Sequence, residues 1–168
     1  MSKKNKLKKT LVEKMLEKDN IPFTPVKIDI LNAGSNNKKQ MLKQASIPRE
    51  SLIYKTLASS GNETGLVVAV LPITKRLNEK KLAFLSKNKK TEMLPLKKLQ
   101  KMTGYIHGAN NPVGIWHKKQ GKVSIFFDEQ ALEDKKIYLS AGKVGRSDLV
   151  DARKVANLIG ATFGNLSV

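Results

Sequence analysis

The run 51-SLIYKTLASS-60, followed by 61-GNETG-65 and 66-LVVAVLPI-73, decides how the rest of the chain reads. Its first part alternates: Ile53, Lys55 and Leu57 share one side, Tyr54 and Thr56 the other, which is the period of a β-strand. Its last part is apolar at every position, the pattern of a strand covered on both faces. The turn between them carries glycine and asparagine, so the whole predicts a hairpin with its second strand central in a sheet. Lys55 is the anomaly. On a core face, a lone ammonium must reach a partner or open onto a pocket, because an unpaired buried charge is costly. On the wet face of an edge strand, lysine is an ordinary guard against edge pairing. The residues alone leave both readings open.

Outward from the hairpin, strands and helices interleave irregularly, which predicts one mixed α+β domain without repeats or linkers. Residues 2–9 form a lysine-rich arm, and the domain runs over 10–168. Thr10 followed by Glu13 has the spacing of a capping box ahead of Leu11, Met15 and Leu16, and the helix should stop before Pro22. "FTPVKIDIL" reads as a strand with Val26, Ile28 and Ile30 on one face, "NAGSNN" as a turn, and "KKQMLKQAS" as a short basic helix. Short helices are expected over 78–88 and in "LPLKKLQKMT", the latter with Leu96 and Leu99 inward. "GYIHGANNPVGIW" is too rich in Gly, Asn and Pro for a regular element. "KVSIFFDE" and "KIYLSAG" read as strands separated by a short acidic turn or helical segment. "SDLVDARKVANLIGATF" reads as a closing helix, with Ser147 as its cap and Leu149, Val155, Leu158 and Ile159 as its apolar stripe.

Composition narrows the chemistry. The 168 residues suffice for a core burying about two-thirds of the unfolded surface. No run approaches the ~18 apolar residues that span a bilayer, and the basic start lacks an apolar segment behind it, so a cytoplasmic location and no membrane partner are expected. Cysteine is absent, which excludes disulfides, thiolate nucleophiles and sulfur-built zinc sites. Two histidines, His107 and His117, are too few for most metal cages, so neither a metal nor another cofactor is expected. Lys and Arg number 32 against 14 Asp and Glu, a net charge of +18. Such a field attracts nucleic acid, anionic membrane or acidic partners, although a basic solubilising surface would look the same. Arginine is scarce (Arg49, Arg76, Arg146, Arg153), which argues against base reading in a duplex groove and leaves lysine contacts to phosphates.

Two loops could hold an anion. In "TGYIHGANNPVG", 103–114, Gly104, Gly108 and Gly114 permit tight turns and close approach to the backbone, while Asn110 and Asn111 add polar groups and Pro112 stiffens the segment. In "SAGKVGRSD", 140–148, Gly142 and Gly145 would turn a strand into the final helix, offering helix-start amides beside Lys143 and Arg146. An ordinary turn and a plain connection are the competing readings. No P-loop or dinucleotide fingerprint is present, and nothing resembles a helix-turn-helix, RNA-recognition or zinc module. Tyr105 and Trp116 could stack on a base or simply pack the loop.

Taken in order and spacing, "YKTL", "TGYIHGANNPVG" and "YLSAGKVG" resemble the YbaK/EbsC family, whose domain also serves as the editing insertion of bacterial prolyl-tRNA synthetases; the likeness runs from about Thr10 to Phe163. The resemblance implies a single α+β domain around a curved, barrel-like sheet with surrounding helices, and removal of wrong amino acids from tRNA. It implies Lys55 as the essential lysine, Gly108 and Pro112 as the ends of the substrate loop, and Ser140 as a pocket serine. Thr56, Gly104, Asn111 and Gly142 complete the expected substrate-binding set. The implied partner is the 3′ acceptor end of an aminoacyl-tRNA, with prolyl-tRNA synthetase as a candidate protein partner. The implied reaction is Cys-tRNA(Pro) or Cys-tRNA(Cys) deacylation, formally a lyase step if the substrate thiol attacks its own carbonyl. The alternatives are an alanine-clearing hydrolase and a non-catalytic tRNA- or synthetase-binding module. The chain departs from the cysteine-clearing pattern at Ala109 and Asn111 in the loop, at Ile28 where a pocket tyrosine is expected, and at Ser147 where an acid is expected.

Overall fold

The hairpin forms as its pattern predicts. In the computed structural model, which describes residues 8–30, 34 and 37–168, β2 (Tyr54–Gly61) pairs antiparallel with β3 (Gly65–Pro72), from Tyr54 opposite Pro72 to Gly61 opposite Gly65. The other edge of β2 carries β4 (Thr91–Met93), which pairs only with Ser59, Ser60 and Gly61. The Tyr54–Ala58 half of that edge is therefore left without β4, and this gap positions the site described below. Beyond β3 lie β5 (Ser124–Asp128) and β8 (Thr162–Gly164), both added in parallel. A second, antiparallel sheet has the order β1 (Phe23–Lys27), β7 (Arg146–Asp151), β6 (Lys136–Lys143). The α+β class is as expected. Among the described residues the pairing gives two sheets, joined by an isolated bridge between Ile53 and Tyr138, and not one barrel-like sheet.

Helices cover these sheets: α1 (Leu11–Lys18), α2 (Lys38–Gln44), α3 (Glu79–Leu85), α4 (Leu96–Thr103), α5 (Pro112–Lys118), α6 (Gln130–Asp134) and α7 (Ala152–Ile159). The capping box starts α1 as predicted. Thr10 Oγ1 accepts from the Glu13 amide at 3.1 Å, and Glu13 Oε1 accepts from the Thr10 amide at 3.0 Å. β3 is buried on both faces. Val68 and Val70 join Val12, Leu16, Phe127 and Val155 in the main core, while Val67 and Ala69 pack with Leu82, Phe126 and Leu166 on the other side. A third cluster, Ile28, Ile30, Ile47, Ile53 and Tyr138, fills the join between the sheets. Each such fully buried aliphatic side chain contributes about 1.5–3 kcal/mol.

Four expectations need correction. Residues 146–151 are a strand and not the first turns of the closing helix, because Gly142 and Gly145, both at positive φ, fold "SAGKVG" into a hairpin. The true N-cap of α7 is Asp151, whose side chain accepts from the Lys154 amide, so the anion site at a helix start near Ser147 does not exist. In the Gly/Asn-rich stretch, Asn111 caps α5 and Pro112 takes its first position, a start signal that outweighs the glycine at 114. Leu99 faces inward, but Leu96 is exposed. The strand near Ile28 ends at Lys27, although Ile28 and Ile30 remain buried. The basic arm apart from Lys8 and Lys9, and most of the "NAGSNN" turn, lie outside the described residues.

Candidate functional site

The gap beside the first half of β2 opens into a cavity of about 270 Å³. One wall is the strand itself, Tyr54 to Ala58; the rest comes from the Ile28–Ile30 segment, the Met93–Leu99 stretch, the His107–Asn110 loop and the β6–β7 hairpin. The lining surface is mainly apolar, with Ile28, Ile30, Ile53, Ile73 and Leu99 among its residues. The mouth is apolar too. Met93, Leu96, Ile106 and Val144, from three different segments, are 52%, 72%, 50% and 43% exposed. Met93 and Leu96 line the cavity, Ile106 precedes its wall residue His107, and Val144 approaches Gly108.

Lys55 is half-buried in this wall, and its register opposite Leu71 places it on the Leu57 side of the strand, as the alternation predicted. Its Nζ donates to the Lys75 carbonyl at 2.5 Å. Burial, and then the nearby positive charge of Arg76, hold its pKa below the usual lysine value. The ammonium is thus positioned by a neutral acceptor, which leaves its charge available to an anionic ligand. On the opposite side of the strand, the Tyr54 hydroxyl donates to Asp134 at 2.6 Å, and Asp134 also pairs with Arg49 at 2.9 Å. Burial and then that carboxylate push the tyrosine well above its ordinary pKa, so Tyr54 anchors the wall as a neutral donor.

Two polar atoms in the lining are buried without a hydrogen-bond partner among the described residues: Thr56 Oγ1 and Asn110 Oδ1. Native interiors rarely leave such groups unsatisfied, so these are the natural contact points for a bound polar group. Of the expected residues, Lys55, Thr56, Gly108 and Ser140 line the cavity, whereas Gly104, Asn111, Pro112 and Gly142 are not among its lining residues. These four shape it from behind. Gly104 ends α4 in the left-handed conformation, and Asn111 Oδ1 accepts from the Gly114 amide at 2.6 Å. Gly142, at φ +91°, donates its amide to Ser140 Oγ at 3.2 Å and sits against Tyr105 and Val12. Asn110 is the residue that sequence reasoning passed over in favour of its neighbour. The cue was Asn-Pro, a cap signature that commits Asn111 to the helix and frees Asn110 for the pocket. The departures divide in the same way: Ile28 and Ser147 line the cavity, while Ala109 and Asn111 are buried outside its lining.

Behind the hairpin lies a buried charge cluster. Arg146 grips Glu13 through Nε at 2.9 Å and Nη2 at 2.7 Å, tying β7 to α1. Asp148, two residues along the same strand face, is 1% exposed, and neither of its oxygens has a hydrogen-bond partner among the described residues. Burial, and then the neighbouring Glu13 carboxylate, push its pKa far above the usual aspartate range, against the pull of Arg146. Glu13 itself is held low: burial opposes its ionisation, but its neighbours Asp148 and Arg146 and the Thr10 amide outweigh burial. These directions place the negative charge on Glu13, beside Arg146, and leave Asp148 protonated below about pH 8.

Comparison with known proteins adds four findings. A family model described as the aminoacyl-tRNA editing domain matches residues 37–158. An Enterococcus faecalis (strain ATCC 700802 / V583) protein named "Putative Cys-tRNA(Pro)/Cys-tRNA(Cys) deacylase EbsC" is 35% identical over 171 residues, spanning 99% of this chain and 98% of that one. The crystal structure of hypothetical protein APE2540 superposes with a TM-score of 0.76 at 21% identity, covering 94% of this chain and 99% of that one. A second crystal structure, of "a putative trans-editing enzyme for prolyl tRNA synthetase", gives 0.71 at 18% identity, with 94% of each chain covered. At these identities the two structures speak for the fold alone.

Proposed function

The chain belongs to the aminoacyl-tRNA editing domain family, in its YbaK/EbsC-like trans-editing branch, and from that premise we propose that it removes cysteine from mischarged tRNA(Pro) or tRNA(Cys). The observation that carries the reading is the small aliphatic cavity with a single half-buried lysine held at its wall by a backbone carbonyl. An aminoacyl ester presents an amino-acid side chain of matching size and a ribose-phosphate end that needs a fixed cation. Lys55 supplies the cation, the aliphatic walls take the side chain, and Thr56 and Asn110 offer their unsatisfied oxygens to the substrate's amino and hydroxyl groups. The exposed apolar rim borders the terminal nucleoside. In this reading the domain acts in trans in the cytoplasm, with prolyl-tRNA synthetase as a candidate partner.

The chain has no thiol of its own, so in this mechanism the nucleophile belongs to the substrate. The cysteine thiolate attacks its own carbonyl carbon; the new carbon–sulfur bond replaces the ester carbon–oxygen bond, and the thiol proton ends on the released ribose hydroxyl. The ester is already activated, so holding thiolate and carbonyl in line supplies much of the acceleration, and the Lys55 charge stabilises negative charge developing on oxygen.

The test is single-turnover release of amino acid from tRNAs charged with Cys, Ala, Ser and Pro. Cysteine should leave fastest, serine far more slowly because a hydroxyl is barely ionised near neutral pH, and alanine at the spontaneous rate. Comparable rates for alanine and cysteine would instead make water or a tRNA hydroxyl the nucleophile, in an alanine-clearing hydrolase. Tight binding with no release in any lane would make the protein a non-catalytic module. Lys55→Ala should keep a wild-type circular dichroism spectrum and lose at least about 100-fold in rate, the scale of losing one preorganised electrostatic contact.

A further inference from the structure

Away from the cavity, α3 presents a feature that the deacylation chemistry does not use. Its inward face is Leu82 and Ala83, both buried, with Leu82 packed with Val67 and Ala69 of β3. Phe84 points the other way and is 83% exposed. It forms one side of an open groove of about 410 Å³, together with Leu85, Lys80, Lys81 and Asn165. Lys80 and Lys81 precede Phe84 by one helical turn, so their charges flank the ring, and Lys87 lies just beyond the helix end. The one acid of the helix, Glu79, is turned inward, accepting from Ser59 Oγ at 3.1 Å and Thr91 Oγ1 at 2.6 Å. Lys81 is fixed in place by Asn165 Oδ1 at 3.2 Å and the Ser167 carbonyl at 2.7 Å. The helix thus shows solvent an aromatic ring that shares its groove with Lys80 and Lys81.

Neither core packing nor solubility calls for a phenylalanine there. An exposed aromatic face between lysines fits a ligand that offers a flat π-surface and flanking negative charges, which is the chemistry of an unpaired nucleotide. We propose that Phe84 is a stacking platform for an unpaired base of the bound tRNA, with Lys80 and Lys87 holding the adjoining phosphates. It is a second contact, separate from the pocket that takes the acceptor end. The identity of the RNA as tRNA rests on the deacylase reading; the stacking itself does not.

The test uses the full-length protein with Phe84→Ala, Phe84→Trp and Lys80→Ala/Lys87→Ala, and measures equilibrium binding to uncharged tRNA, a short single-stranded oligouridine and a short RNA duplex. Phe84→Ala should weaken tRNA and oligouridine binding by about 5- to 100-fold, the worth of one stacked base, leave duplex binding unchanged and not lower the thermal midpoint. Phe84→Trp should bind as tightly as wild type and lose fluorescence on adding oligouridine. The double lysine variant should weaken all three ligands and flatten the salt dependence. Unchanged tRNA and oligouridine affinity in Phe84→Ala, or equal losses on duplex and single strand, would overturn the proposal. So would a Phe84→Trp signal that answers anionic phosphatidylglycerol vesicles and not RNA. Amino-acid release from a minimal acceptor-end ester, with Lys55→Ala as control, should proceed equally in wild type and Phe84→Ala. Selective loss in Phe84→Ala would place the ring in the catalytic pocket and overturn the separate contact. No release by wild type would overturn the deacylase reading alone, since oligouridine binding needs no ester.

Discussion

Replacing Asp148 by asparagine should stabilise the protein in alkaline solution and change little in acid. Asp148 sits on the inner face of β7, beside a Glu13 carboxylate already committed to Arg146. Burial first, and then Glu13, raise its pKa from 3.8 to about 8. The folded state therefore holds a proton there that the unfolded chain releases near pH 4. The stability contributed by this carboxyl is complete below about pH 4 and is lost as pH rises through about 8. Glu13 has the opposite sign: its pKa is lowered, so its contribution is lost only in acid, as pH falls below 4.5. Between pH 5 and 8 the slope belongs to Asp148. At about 1.4 kcal/mol per pKa unit, the separation sets a ceiling of roughly 5–6 kcal/mol. The higher effective dielectric found even at buried sites reduces this to about 2–3 kcal/mol. An asparagine fills the same space and never ionises. Urea denaturation followed by circular dichroism across this pH range should show the two proteins together near pH 4. They should diverge steadily, with Asp148→Asn ahead by about 2–3 kcal/mol above pH 8. Parallel curves would mean that Asp148 is ionised in the native protein and that the charge assignment of the cluster is wrong.

The site and the surface give three further expectations. Gly114→Ala would place a β-carbon 2.1 Å from the Tyr105 hydroxyl, so it should cost about 1–3 kcal/mol in a denaturation series; a wild-type midpoint would show that Tyr105 swings aside freely. Gly108→Ala, at φ +91° and against Val144, should cut single-turnover release about tenfold or more, while exposed His107→Ala should stay within about twofold. Equal large losses would make His107 a participant in the reaction. Affinity for tRNA should fall steeply with salt, each lysine–phosphate contact adding roughly 0.7–0.9 to the log–log slope, and a flat response would reduce the +18 charge to a solubility coat.

The parts of this fold that were legible in sequence are those whose neighbours in space are also neighbours in the chain. The β2–β3 hairpin announced itself by alternation followed by a continuous apolar run, and α1 by Thr10 and Glu13. The misreadings came where two local codes overlapped. In "SDLVDARKVANLI", Leu149 fits a helical stripe with Val155 and Leu158, yet "RSDLVD" also alternates, and pairing with β1 on one side and β6 on the other decides for strand. Leu96 kept an apolar code but lies exposed at the pocket mouth. The four expected residues that line the cavity, Lys55, Thr56, Gly108 and Ser140, each sit in a motif of the sequence. The Glu13–Arg146 pair spans 133 residues and depends on strand register, so no local pattern carried it; Glu13 was visible only as half of a capping box.

The join between the sheets also dictates when the protein becomes itself during synthesis. Among the described residues, β1 finds its only strand partner in β7, more than a hundred residues later, and the pocket takes its walls from Ile28 through Ser147. A chain leaving the ribosome therefore carries β1 and the Lys55 edge, with its isoleucines bare, for most of its translation. Closing contacts so distant in sequence is slow and exposes the waiting strands to wrong partners. The net charge of +18, spread along the sequence, opposes association of nascent copies throughout that interval. The pocket closes only once the strand bearing Ser147 has emerged, so a product truncated before it would carry the lysine without the cavity that gives it a purpose.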